Sequence, residues 1–265
     1  MRIQVAALVV AALSTNPAHA QDGLATLKKI QFAYAGLKSY SQKISSTMTT
    51  KSGAQRSAAG QTSELRYKQP NQVFMTVSSP GIGSVTSYNN GREMFVYRSS
   101  INSYQKRPGK PDVKSYVLGL REFKITTMLD PLAFLTGEPV ERAVPTAVVK
   151  VGESLNGVAC NVIVGQLNRA FIGNAKSGVV TFWADKDTNL LRKILIVITG
   201  IPATARQRIM EKGKPVVKSR RLVFDTTVSM TVQELQINPP LTDASFTYIP
   251  PKGAIEQNPE KLLKK

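Results

Sequence analysis

The segment from Ser219 to Val232 alternates between apolar and mostly polar residues, and no other feature constrains the fold as strongly. One set of alternate positions holds Leu222, Phe224, Thr226, Val228, Met230 and Val232, and the other holds Val223, Asp225, Thr227, Ser229 and Thr231. Successive side chains of a strand point to opposite faces, so this pattern describes a strand with one buried face. The segment predicts a large antiparallel sheet with one face on the core.

Further strands are predicted along most of the chain. They are Ser41–Thr50, Gln61–Lys68, Gln72–Ser78, Val85–Tyr88, Glu93–Arg98, Ile101–Lys106, Ala147–Leu155, Cys160–Leu167, Gly178–Ala184 and Leu190–Thr199. We expect a polar loop over Lys51–Gly60, a type I′ turn at Asn90-Gly91 and a hairpin turn over Asp185–Asn189. The predicted fold class is mainly β with a few helices. It is a single curved antiparallel sheet, an unclosed half-barrel of about ten strands.

Two segments break the strand pattern and are expected to cover this sheet. Asp22 is placed to cap an N-terminal helix whose apolar stripe is Leu24, Leu27, Ile30, Tyr34 and Leu37. The apolar segment Tyr116–Leu135 contains Asp130-Pro131, which predicts two short helices or a kinked one. This segment is either a lid over a cavity or a plug of the core.

The first twenty residues have the features of a secretory signal peptide. Arg2 precedes an apolar run from Val5 to Leu13, and Ala18-His19-Ala20 supplies small residues before a cut after Ala20. We therefore expect a periplasmic protein with a single domain over residues 21–265. The cut would remove His19, the only histidine. That loss excludes a catalytic Ser-His-Asp relay and His-based metal sites.

No enzyme function, cofactor or metal is therefore predicted. The carboxylates are scattered, and Asp185 and Asp187 are assigned to a turn rather than to catalysis. Cys160 is alone and is interpreted as a small buried hydrophobe.

The chain is strongly basic, with a formal net charge of +18 and dense clusters at Arg206–Arg221 and Lys261–Lys265. The export signal argues against a nucleic-acid partner, so an anionic membrane surface or envelope polymer is the better candidate. A generally solvated basic surface remains the alternative. We expect a monomer whose tail, Lys261, Lys264 and Lys265, assists membrane docking.

Several short motifs resemble those of the LolA/LolB-like lipoprotein-carrier superfamily, and within it a family of predicted periplasmic proteins. The motifs are Leu37-Lys38-Ser39-Tyr40, Gly60–Tyr67, Gln69-Pro70-Asn71-Gln72-Val73-Phe74, Asn90-Gly91, Met94-Phe95-Val96-Tyr97, Trp183-Ala184-Asp185, Leu190-Leu191-Arg192-Lys193 and Asp243-Ala244-Ser245-Phe246 with Tyr248, Pro250, Pro251 and Gly253. The resemblance implies an unclosed barrel with a helical lid around a hydrophobic cavity for acyl chains.

One position departs from the superfamily's pattern. Carriers of this type tend to have Arg before the proline that corresponds to Pro70, and that Arg helps to latch the lid. Here the position is Gln69, and a neutral amide cannot make the charge-assisted bonds of an Arg fork.

The predicted function is a non-enzymatic periplasmic binding or carrier protein for a lipid-like or lipoprotein acyl ligand in a hydrophobic cavity. The alternative is an envelope sensor or interaction module with the same fold and a filled core. The predicted cavity residues are Met75, Met94, Val96, Leu129, Leu132, Phe134, Leu135, Phe224, Val228 and Met230. Strand assignment fixes which residues share a face, but a slip of one residue reverses which face points inward.

Overall fold

The computed structural model of the protein describes residues 17–122, 131–211 and 214–257. The helices are α1 (Pro17–Ala35), α2 (Val113–Glu122), α3 (Pro131–Leu135) and α4 (Arg169–Ile172). The strands are β1 (Ser39–Ser52), β2 (Gln55–Lys68), β3 (Gln72–Ser79), β4 (Gly83–Asn89), β5 (Glu93–Arg98), β6 (Ser103–Pro108), β7 (Thr146–Leu155), β8 (Val158–Gln166), β9 (Ser177–Asp185), β10 (Leu191–Glu211), β11 (Lys214–Ile237) and β12 (Ile255–Glu256).

All twelve strands form one curved sheet that does not close. Their spatial order is β12-β6-β5-β4-β3-β2-β1-β11-β10-β9-β8-β7, which leaves β7 and β12 at the two edges. Neighbours pair antiparallel except for β12, which runs parallel to β6. The predicted half-barrel is therefore confirmed, although the sheet has more strands than expected.

One face of the sheet, here called the inner face, is covered by helices. Leu27, Ile30 and Tyr34 of α1 are fully buried, which confirms the apolar stripe read from their spacing. Strand residues of the same core cluster include Met94 and Ile194, which lie on opposite halves of the sheet. A continuous apolar core therefore runs across the inner face.

The outer face carries a separate aromatic cluster near β4 and β5. Phe74, Tyr88, Phe95 and Tyr97 pack with Phe246 from the C-terminal segment. The rings of Tyr88 and Phe95 stack with centroids 5.0 Å apart. Both faces of β5 are therefore buried, with Met94 and Val96 on the inner face and Phe95 and Tyr97 on the outer face.

The structure corrects four local expectations, the first two at β2 and β6. Most of the predicted loop Lys51–Gly60 is strand, because β1 and β2 form a hairpin that turns at Gly53 with φ 58°. Residues 55–62 are exposed and polar or small, so the strand had no hydrophobic alternation to reveal it. The first residue of β6 is Ser103, because Ile101 ends a 3₁₀ turn.

The Asn90-Gly91 turn is not type I′, since only Gly91 (φ 88°) has a positive φ. The Asn90 side chain instead accepts hydrogen bonds from the amides of Arg92 and Glu93. Asp22 is not a helix cap, because α1 begins at Pro17 and therefore runs past the expected cut after Ala20.

No helix in the described parts of the chain combines the length and apolarity needed to span a bilayer.

Candidate ligand pocket

A pocket of about 270 Å³ lies between α2, α3, the segment 136–143 and α4, and we call it the lid pocket. Its apolar wall is formed by Val117, Leu118, Ala133, Phe134, Pro139, Val140, Ala143 and Phe171. Its polar residues are Lys114, Thr136, Glu138 and Arg142. The pocket therefore combines an apolar interior with a small charged group.

Helix α2 is positioned by a cap and a buried hydroxyl. The Asp112 carboxylate accepts a hydrogen bond from the Ser115 amide at 2.7 Å, and this bond lowers the pKa of Asp112. One face of α2 is buried, and its Tyr116 hydroxyl lies 2.7 Å from the Ser87 hydroxyl on β4. The opposite side carries Leu118, which is 48% exposed. This arrangement leaves an apolar side chain available at the pocket.

Helix α3 contributes the residue that joins the pocket to the core. Pro131 is its first residue, a position where a missing amide hydrogen costs nothing. The Phe134 ring lies 5.6 Å from the Tyr34 ring of α1 and 5.9 Å, edge to face, from the Phe182 ring of β9. Phe134 is 3% exposed, so it forms a fixed floor of the pocket.

The charged group consists of one carboxylate between two cations. Glu138 lies 2.6 Å from the Lys114 ammonium and 3.1 Å from the Arg142 guanidinium. The Lys114 hydrogen bond is the main cause that lowers the pKa of Glu138. The side chains of Lys114 and Arg142 are 56% and 76% exposed, so the bridges are solvent-screened. The group therefore retains a net positive charge that faces solvent.

The ten predicted cavity residues separate into three sets. Met75, Met94, Val96, Leu132, Phe134 and Met230 are buried in the inner-face core, and the half-buried Leu135 and Val228 pack against it. Phe224 lies outside that cluster, and Leu129 lies outside the described residues. Of the nine that the structure describes, Phe134 alone lines the lid pocket.

Phe224 departs from the others because its strand leaves the sheet. The pairing between β1 and β11 ends at Lys51 and Asp225, so Phe224 lies beyond it. Phe224 and Met230 are alternate residues of one strand, but Phe224 is not part of the inner-face core cluster.

Sequence reasoning missed most of the pocket wall. In the sequence, Leu118 is one of many apolar residues in the segment Tyr116–Leu135. Its position opposite the buried side of an amphipathic helix could have indicated an apolar side chain left partly exposed. Val140 and Phe171 lie in short elements with no periodicity, and their meeting depends on the tertiary fold. Nothing in the sequence around Lys114 and Arg142 distinguishes them from the other basic residues of the chain.

Gln69 is hydrogen-bonded to the end of the N-terminal helix. Its side-chain amide donates to the Ala35 carbonyl at the end of α1, at 3.4 Å. The position that resembles the superfamily's latch therefore contacts the N-terminal helix.

A second depression of about 550 Å³ lies along the middle of β1 and β2, the end of β3 and the start of β4. Apart from Gln61 and Pro80, it is lined by Ser, Thr and Gly residues. Such a surface offers little to an acyl chain because its groups are polar.

Cys160 and Asp185 both have structural roles. Burial raises the pKa of the Cys160 thiol, which is fully buried. Burial opposes ionisation of Asp185, yet Arg192 and two turn amides hold the pKa of Asp185 below its ordinary value. The turn interpretation of Asp185 is thus confirmed. In the described ranges, no three His, Cys, Asp or Glu residues are grouped to hold a metal ion.

Solved structures resemble this chain at low sequence identity. Lipoprotein LppX of Mycobacterium tuberculosis is 13% identical with a TM-score of 0.44, and the match covers 86% of this chain and 99% of that one. A LolA superfamily protein of Nitrosomonas europaea is 11% identical with a TM-score of 0.33, over 85% and 97% of the two chains. The MucA/MucB complex of Pseudomonas aeruginosa gives 13% identity and a TM-score of 0.39, over 86% and 61%.

No curated protein matches the sequence significantly. A family described as "Predicted periplasmic protein (DUF2092)" matches residues 24–209, which is more than two thirds of the chain and spans α1 through most of β10. The chain therefore belongs to the DUF2092 family of predicted periplasmic proteins.

Proposed function

We propose that this protein is a periplasmic, non-enzymatic binding or carrier protein for a single-chain acidic amphiphile that occupies the lid pocket. The observation that carries the proposal is an apolar wall, with Leu118 and Phe134, directly beside the net positive group of Lys114, Glu138 and Arg142. An acyl chain fits the apolar wall, and an anionic headgroup fits the positive group.

The hydrophobic effect supplies the driving force. Each buried methylene contributes about 0.8 kcal/mol, so a chain of several methylenes gains enough to offset part of the cost of association. The lid pocket, at about 270 Å³, is near the lower end of the roughly 300–1,000 Å³ typical of small-molecule sites. One acyl chain is therefore a better match than the several chains of a lipoprotein anchor.

The charged group orients the ligand and selects against cationic amphiphiles. Glu138 already bridges Lys114 and Arg142, and these exposed cations can also contact a carboxylate or phosphate from their solvent side. Gln31 of α1 donates to the Glu138 backbone carbonyl at 2.7 Å, which fixes the segment that carries the group.

Export supports the periplasmic part of the proposal. The family's description places its members in the periplasm by prediction, and residues 1–20 have the composition of a signal peptide cut after Ala20.

Titration of delipidated protein with a fluorescent fatty acid tests the proposal. The variant Leu118→Glu places a carboxylate in the apolar wall, and we expect saturable uptake by the wild type to weaken at least about ten-fold in this variant, since a charge left near an apolar chain costs more than 1.4 kcal/mol. Val151→Glu is the matched control, because Val151 is 89% exposed on β7 and lies outside the pocket.

The proposal predicts that oleate competes and that a long-chain amine does not. Equal uptake by wild type, Leu118→Glu and Val151→Glu would contradict it.

A second candidate function is an envelope sensor or interaction module with a filled core. The packed inner face favours it, because Leu27, Ile30, Met94 and Leu120 have no exposed surface. Under this function the protein takes up no amphiphile, and the same titration separates the two candidates.

A further inference from the structure

Strands β10 and β11 extend beyond the rest of the sheet as a two-stranded ribbon. The last pair between β9 and β10 is Ser177 with Thr199, and the last pair between β1 and β11 is Lys51 with Asp225. β10 and β11 continue to pair with each other from Ile201 and Phe224 to Glu211 and Lys214. Among the described residues, no other strand pairs with this section, which we call the ribbon (residues 201–211 and 214–224).

The base of the ribbon is a bulge that separates it from the sheet. The register shifts between Ile198 and Ile201, and Gly200 adopts φ 68° at this point. The Gly200 amide donates to the Asp225 carboxylate at 2.9 Å. A bulge bends a strand pair and increases its twist, so the ribbon is redirected where it leaves the sheet. Eleven residues of β10 beyond this point extend about 35 Å.

The ribbon carries a concentration of positive charge. Its cations are Arg206, Arg208, Lys214, Lys218, Arg220 and Arg221, and its only acid is Glu211. The resulting net charge of +5 is more than a quarter of the total of +18, on less than a tenth of the residues. Arg220 and Arg221 are exposed, and Val223 beside them is 59% exposed.

Apolar residues lie near the far end of both strands of the ribbon. Ile209 and Met210 precede the last residue of β10, and Pro215, Val216 and Val217 follow the first residue of β11. Apolar residues flanked by cations are the composition that partitions into the headgroup region of an anionic bilayer. Nucleic acid would fit the charge as well, but it is not a partner expected in the periplasm.

We propose that the ribbon is a membrane-docking arm that binds the surface of a bilayer containing anionic phospholipid. The charge of the ribbon complements the phosphate-rich surface, and the ribbon extends beyond the strands that flank it in the sheet. The two exposed cations Lys51 and Arg56 at the adjoining β1–β2 hairpin extend the same basic surface at its base. The proposal does not depend on the ligand of the lid pocket.

Co-sedimentation with vesicles tests this proposal. The ribbon variant combines Arg206→Gln, Arg208→Gln and Lys218→Gln, and the control variant combines Lys29→Gln, Lys150→Gln and Lys252→Gln at exposed positions elsewhere. Both lose the same formal charge. Each cation at an anionic surface contributes roughly five-fold in affinity, so we expect the ribbon variant to bind equimolar phosphatidylglycerol–phosphatidylcholine vesicles at least about ten-fold more weakly than the control.

Binding by the wild type should fall as salt rises and be absent on pure phosphatidylcholine. A second variant, Arg220→Gln with Arg221→Gln, should lower binding in the same direction. Equal binding by ribbon and control variants would overturn the proposal. Tighter binding of an oligonucleotide than of the anionic vesicles at physiological salt would overturn it as well.

Discussion

At the scale of single residues, the polar groups of the core are held by specific partners. Asp185 is 5% exposed, accepts hydrogen bonds from the Asp187 and Thr188 amides, and lies 2.6 Å from the Arg192 guanidinium. The sequence indicated the turn because Asp favours such geometry. It did not indicate the Arg192 contact, which requires β9 and β10 to pair.

Replacing Asp185 tests this arrangement. Asp185→Asn should lower the free energy of unfolding at pH 7 by about 2–4 kcal/mol, since it leaves a partly buried guanidinium without its charge partner. The control Asp187→Asn changes an exposed side chain in the same turn and should cost less than about 0.5 kcal/mol. Urea denaturation of the three proteins measures the difference.

The pH dependence of that difference follows from the lowered pKa of Asp185. A carboxyl whose folded pKa is lowered stabilises the fold fully above its unfolded pKa, about 3.9, and loses that contribution as pH falls through the folded pKa. The advantage of the wild type over Asp185→Asn should therefore be full at pH 7 and shrink on acidification below about pH 4. An advantage that grows on acidification would contradict the assignment.

At the scale of elements, the sequence predicted the helices and strands that have a strong hydrophobic periodicity and missed the segments that lack one. The apolar stripe of α1 is confirmed. The described parts of the segment Tyr116–Leu135 are helical, as predicted, and belong to α2 and α3. The first half of β2 was missed because its exposed polar residues carry no alternation. The ribbon was missed in part because strand length depends on a partner strand rather than on residue pattern.

Helix α3 is part of the core and also borders the lid pocket. Substitution of a core residue of α3 that does not line the pocket tests these two roles separately. Leu132 is 1% exposed and does not line the pocket. Leu132→Trp should therefore overpack the interior, cost about 1–3 kcal/mol of stability, and leave the affinity for a fatty acid unchanged in the folded protein.

Leu118→Trp is the matched variant, since Leu118 is half-exposed and lines the pocket. It should narrow the pocket and weaken uptake with little effect on the melting temperature. Thermal unfolding and fatty-acid titration of both variants check the assignment, and the reverse pattern of effects would contradict it.

At the scale of the whole molecule, one curved sheet supports three separate surfaces. The inner face holds the core, the lid pocket lies between α2, α3, the segment 136–143 and α4, and the ribbon is formed by the end of β10 and the start of β11. The sequence identified which strand residues share the buried face, including Met75, Met94 and Met230. It could not place the pocket, because the wall is assembled from short elements between residues 114 and 143, with Phe171 of α4, and their meeting depends on the tertiary fold.

The C-terminal tail, which lies outside the described residues, provides a prediction at this scale. Truncation after Gln257 removes Lys261, Lys264 and Lys265. We expect an unchanged melting temperature and a weaker affinity for anionic vesicles, since each cation contributes at most about 1 kcal/mol. Vesicle binding that is insensitive to both truncation and salt would count against a role for the tail.

Ligand binding should not require a metal ion, because the proposed pocket uses apolar burial and fixed charges. Fatty-acid affinity should be the same before and after dialysis against a chelator. A loss of affinity that added divalent cations restore would show that the lid pocket is not sufficient for binding.

Native mass spectrometry of the protein purified from the periplasm of its own host tests the central claim most directly. The account predicts one acidic single-chain amphiphile per protein, recoverable by organic extraction and depleted in Leu118→Glu but not in Val151→Glu. Wild-type protein that carries no amphiphile, and takes none up when fatty acid is supplied, would contradict the account and favour the sensor or interaction module.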